Sequence, residues 1–229
     1  DLRLSKGSEI ITAVQTSRQI LVFTDQSLYS MQFLGPPFTF GVSMLADNIR
    51  IAGPNTAIAV NDVVFWMGQE NFYLYDGRTQ AIPCSVRDYV FNDMNNQQSF
   101  KFHAGSIGSQ TEIWWFYCSS SATEIDRYVV YNYGQQVWYY GTLVRTTWND
   151  RASGLRSFPQ ATGTDFYLYD HENGLDDFST GSRVAINAFV ESSDFDIGDG
   201  QQFMLLNRIL PDLSFNGSTA ANPAALFTI

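Results

Sequence analysis

The strongest constraint in this sequence is a pentapeptide written twice, Phe72-Tyr73-Leu74-Tyr75-Asp76 and Phe166-Tyr167-Leu168-Tyr169-Asp170. Side chains alternate across a strand, so Phe72 and Leu74 share one face and Tyr73 and Tyr75 the other. Both faces are apolar. A strand of that kind is covered on both sides, unlike the half-wet strand of an ordinary two-sided antiparallel sheet. Two weaker copies, Leu28-Tyr29-Ser30-Met31-Gln32 and Tyr128-Val129-Val130-Tyr131-Asn132, extend the series. The copies recur at intervals around the ~40 to 50 residues of propeller repeats.

Each copy follows another β-rich run and a polar turn: "QILVFTDQS", "DVVFWMGQEN" and "EIWWFYCSSSATEID" precede the first three, and "ATGTD" the last. Such pairs are hairpin signals. A further strand, "QQVWYYGTLV", follows the turn at "YNYGQQ". The sequence therefore predicts an all-β chain of propeller-like repeats, in antiparallel blades of three to four strands with few or no helices. Each pentapeptide is expected to be an inner or middle blade strand, with Phe72 and Phe166 both buried. The main helical signal is "VRDYVFNDMNNQQS", good for one turn or two.

Residues 1–184 read as blades, and 185–229 as the last blade or the start of another β-domain, with two longer strands around an acidic loop. The abrupt ends, "DLRLSKGSEI" and "AALFTI", suggest a piece of a longer chain.

Composition narrows the function classes. Net charge is −10, and only Lys6 and Lys101 of the 13 basic residues are lysines. An acidic chain is repelled by phosphate backbones, which argues against sequence-specific DNA binding but leaves DNA as non-specific cargo. Cys84 and Cys118 are too few for a disulfide framework and read as buried thiols. No apolar run reaches the ~18 residues of a membrane helix.

Candidate chemistry is sparse. Asp194, Asp196 and Asp199 in "SSDFDIGDG" resemble a calcium loop, but Gly198 and Leu205 stand where an EF-hand needs oxygen ligands. "YDHENGLDD" gathers His171, Glu172, Asp176 and Asp177, yet neither His171 nor His103 has a second histidine near it in sequence, so a polar loop is the simpler expectation. A glycosidase carboxylate pair could come from distant blades, although Glu70 falls in a hairpin turn. Trp114, Trp115, Trp138, Tyr139 and Tyr140 could stack on sugars or fill a core, and strand aromatics more often do the latter. The expectation is no catalytic residue, no cofactor and no metal beyond the weak calcium candidate.

Four strings, "VVFWMGQENFYLYDG", "IPCSVRDYVF", "VWYYGTLVRTTWNDR" and "FDIGDGQQFMLLNRILPD", resemble tail proteins of short-tailed bacteriophages of the tail nozzle (tail tubular protein B) or packaged-DNA stabilisation type. The resemblance implies a virion structural protein, not an enzyme, assembled in the host cytoplasm. It implies a homohexameric ring below the portal and adaptor that retains packaged DNA and conducts it on ejection. The alternative is a carbohydrate-binding or carbohydrate-active propeller, for example one that binds a host receptor.

Overall fold

A computed structural model of the chain describes residues 3–150, 158–178, 181–186, 189, 200, 203, 205–218 and 222–226. The described residues divide into two compact units, Asp1–Glu172 and Asn173–Ile229.

The first unit is a succession of antiparallel meanders, each ordered in space as it is in sequence. The first sheet holds β1 (Ile10–Gln15), β2 (Ile20–Thr24), β3 (Ser27–Phe33) and β4 (Phe40–Asp47). The second holds β5 (Ala57–Val60), β6 (Val63–Met67), β7 (Phe72–Tyr75) and β8 (Thr79–Ile82). After α1 (Arg87–Asn92) and a 3-10 turn at Asn96–Lys101 comes the third, with β9 (His103–Ile107), β10 (Glu112–Tyr117), β11 (Arg127–Asn132) and β12 (Val137–Thr142). The fourth has three short strands, β13 (Thr147–Asn149), β14 (Gln160–Thr162) and β15 (Leu168–Asp170).

Local sequence explains the hairpins. Asn61 and Asp62 both take positive φ, 50° and 65°, between β5 and β6. That is the signature of a two-residue turn whose twist matches its strands. The sequence reading anticipates α1 and the strand after "YNYGQQ", which is β12, the fourth of its sheet.

The second sheet shows why its aromatic strands are apolar on both faces. Val64, Trp66, Tyr73 and Tyr75 point into a core shared with Leu21, Phe23 and Leu28 of the first sheet. Phe65, Met67, Phe72 and Leu74 point into the opposite core, with Trp115, Val129 and Tyr131 of the third. Phe72 alone has ring centroids of Trp138, Trp115 and Phe91 at 4.7, 4.8 and 5.1 Å. The first strands of successive sheets lie beside one another: β1 by β5, β5 by β9, and β9 by β13. Ala104 N donates to Asn55 O at 2.8 Å across the second of these seams.

All four copies of the repeat contribute to the third strand of their sheets: β3, β7, β11 and β15. The expectation of burial nevertheless fails for the last. Phe72 is 0% exposed but Phe166 is 97% exposed, with φ of 67° in the turn before β15. In the second sheet β8 flanks the pentapeptide, pairing Phe72 with Ile82 and Tyr75 with Thr79. Among the described residues no fourth strand flanks β15, so identical letters meet different surroundings.

The second unit holds β16 (Asp176–Asp177) paired with β17 (Val184–Ala185). Residues 205–218 form no strand. This corrects the expectation of a second long strand there: apolar content alone does not make a strand without a partner backbone. The acidic loop at 191–199 lies outside the described residues.

Phe72→Ala is expected to cost about 3 to 5 kcal/mol, as deletion of a fully buried ring does. Phe166→Ala should stay within about 0.5 kcal/mol, as for exposed positions. Urea denaturation of both variants checks the contrast.

Candidate functional site

The aromatic run "EIWWFY" opens with the one charged residue of β10, and that residue is only 6% exposed. The Glu112 carboxylate accepts a hydrogen bond from Trp114 Nε1 at 3.0 Å and another from Tyr139 OH. Register explains the meeting: Trp114, Val130 and Tyr139 stand opposite one another across β10, β11 and β12, so their side chains share a face. Burial, and then the hydrogen bond to Glu112, push the Tyr139 phenol far above its ordinary range. The phenol therefore stays a donor at any ordinary pH.

The same face carries a stack of rings. Trp114 lies on Tyr128 at 4.8 Å and on Trp148 of the fourth sheet at 5.2 Å, with the two indoles only 13° from parallel. Trp148 continues to His171 at 4.8 Å and to Phe116 at 5.4 Å. Phe116 stacks on His103 at 4.8 Å. The chain's two histidines, remote in sequence, thus flank one aromatic column. Burial holds both imidazoles below their usual pKa, His171 at about 4 with Arg145 as the second cause. Gln110 Nε2 donates to Glu172 at 3.1 Å at the edge of the cluster.

The structure sorts the five stacking candidates by face. Trp114 and Tyr139 belong to the Glu112 face. Trp115, Trp138 and Tyr140 belong to the other, against the second sheet and α1. Trp115 Nε1 donates to Thr56 O at 3.0 Å, Trp138 Nε1 to Pro83 O at 2.8 Å, and Tyr140 packs on Tyr89 at 4.1 Å. Those rings fasten sheets together. Tyr139 and Tyr140 keep 37% and 46% of their surface exposed.

The loop "YDHENGLDD" is divided. His171 and Glu172 end the first unit, while Asp176 and Asp177 make β16 of the second, where Asp176 accepts from Arg183 at 3.2 Å. Glu70 is exposed in the β6–β7 turn, and its backbone carbonyl accepts from Arg87 Nε at 2.7 Å. Cys84 is half-buried and Cys118 buried; both are free, and burial pushes each thiol up to about 11. Neither is a nucleophile near neutral pH. The calcium-loop candidates Asp194, Asp196 and Asp199 lie outside the described residues. Among the described residues, no three His, Cys, Asp or Glu side chains gather as a metal site.

Sequence reasoning missed Glu112, Arg145 and Trp148. A lone carboxylate heading an apolar strand was a usable signal for Glu112, since a buried charge needs partners. Nothing local marks Arg145 or Trp148. What the cluster does chemically is fix one carboxyl group between two donors, the Trp114 indole and the Tyr139 phenol. Compared with known proteins, the chain matches no family model and no curated sequence.

Tyr139→Phe leaves the buried Glu112 with one donor fewer and is expected to cost about 1 to 3 kcal/mol. The loss should shrink in the Glu112→Gln background, a coupling that a double-mutant cycle in urea measures.

Proposed function

We propose that the four sheets are blades of a β-propeller and that the chain is a structural subunit of a short-tailed phage tail nozzle. In this reading copies of the chain form a six-membered ring below the adaptor and portal, in the virion after assembly in the host cytoplasm. The ring retains packaged DNA and lets it pass on ejection, and no catalysis is involved. The observation that carries the propeller part is the second sheet, whose two faces lie in two different cores while its first strand runs beside those of both neighbours. Radial packing gives each inner blade such a position.

The phage part rests on the resemblance. Three of its four strings fall on parts that fasten the sheets: the β6–β7 hairpin with Phe72, the β8–α1 connection with the Pro83 carbonyl, and the β12–β13 stretch with Trp138 and Trp148. The net charge of −10 also suits a duct through which a polyanion slides without sticking. Among the described residues no helix is long and apolar enough to cross a membrane.

A second reading, a carbohydrate-binding blade surface, is favoured by one observation: Tyr139 and Tyr140 present exposed ring surface on the outer strand β12. Electron microscopy of the natural full-length protein tests both. Six-fold rings with an axial channel are the expected result. A stable monomer that retains labelled glycans, and loses them on Tyr139→Ala, would displace the nozzle reading in favour of the second.

A further inference from the structure

Among the described residues, several of the groups that join the fourth sheet to the third lie near one histidine. Trp148 lies over Gly105, where a Cβ would stand 2.3 Å from the indole. It donates Nε1 to Ser106 O at 3.0 Å, and beside it Asp150 accepts from Gly108 N at 2.8 Å. The His171 ring also packs against Trp148, tilted 44° at 4.8 Å.

His171 Nε2 stands 2.9 Å from Arg145 Nε and receives its hydrogen bond. A guanidinium only donates, so this nitrogen offers its lone pair and the imidazole is neutral, with its proton on Nδ1. A second proton would remove the acceptor and set two cations face to face. Among the described residues, charged groups near the pair include Asp170 and Glu172 on either side of His171, Asp165, and Asp150 just after β13. Glu172 accepts from Gln110, and Asp165 accepts from Tyr169, whose ring lies 4.0 Å from the Arg145 guanidinium. Their negative charge does not reverse the balance: burial and Arg145 outweigh Asp170.

We propose that His171 is a proton-operated latch on the fourth sheet: protonation at Nε2 repels Arg145, removes the packing against Trp148 and lets β13–β15 open from the third sheet. The inference stands apart from the phage reading, since it uses only contacts within the first unit. Its direction follows from the imidazole. The latched state holds His171 at about 4 against an ordinary 6.5. The latch is therefore fully closed above pH 6.5 and loses stability as pH falls toward 4. His103 is held low by burial behind Phe116 in the same column, so the His171 contribution is isolated by a variant.

Amide hydrogen exchange of the full chain, corrected for intrinsic rates, tests the latch. Between pH 8 and pH 5 the opening constant of β13–β15 is expected to rise roughly thirtyfold, from the two imidazole pKa values. Protection in β6, β7 and β10 should hold. In His171→Gln, whose amide oxygen still accepts from Arg145 but does not titrate, the rise should fall below about fivefold. Arg145→Gln removes the repelling cation and should also blunt it, which keeps the test decisive if the first variant folds poorly. A rise undiminished in the variants, or simultaneous loss of protection in the second, third and fourth sheets, would overturn the proposal.

Discussion

Tryptophan indoles pressed between neighbouring sheets hold the first unit together. Trp115 and Trp138 of the third sheet reach back to carbonyls of Thr56 and Pro83 around the second, and Trp148 of the fourth reaches back to Ser106 of the third. Each buries a large apolar body and satisfies its one polar atom on the sheet before it, which suits a residue with a single donor. Trp66 fills the equivalent space between first and second sheets at 0% exposure, stacked on Tyr73 at 5.4 Å. Its Nε1 is buried with no hydrogen-bond partner, so this contact rests on packing alone.

Wedges of this size require backbone that yields. Gly105 provides it beneath Trp148, and Gly53, whose Cβ would meet Ser99 O at 2.2 Å, provides it where the β4–β5 connection passes the 3-10 turn. The first strands of successive sheets lie side by side, so stability is built in steps along the series. The second sheet is covered on both faces, and it and the third carry the most buried rings. The fourth, with strands of three residues, has the least area to hold it, and its contacts are accordingly polar as well as apolar.

The Glu112 cluster follows from that gradient. Where the third sheet is not fully covered by the short fourth, a carboxylate sits between an indole N–H and a phenol O–H instead of another ring. A buried charge with fixed partners adds specificity of arrangement at the cost of desolvation. The same seam brings His103 and His171 to one aromatic column, and burial holds both imidazoles low.

The sequence by itself determined the element type, the hairpin order and the two-faced character of the aromatic strands. Those properties are local: period-two alternation, turn residues such as Asn61-Asp62, and bulky rings that only a doubly covered strand can hide. The recurrence of the pentapeptide as a strand of successive sheets was legible, though not that it would be the third strand of each. Its burial was not, since Phe72 and Phe166 open the same pentapeptide, yet Phe72 lies in β7 beside β8 while Phe166 falls in the turn before β15. Likewise no string announces that Trp148 will separate two histidines or that Glu112 will meet Tyr139. Such contacts depend on which sheet faces which, and only packing between elements distant along the chain settles that.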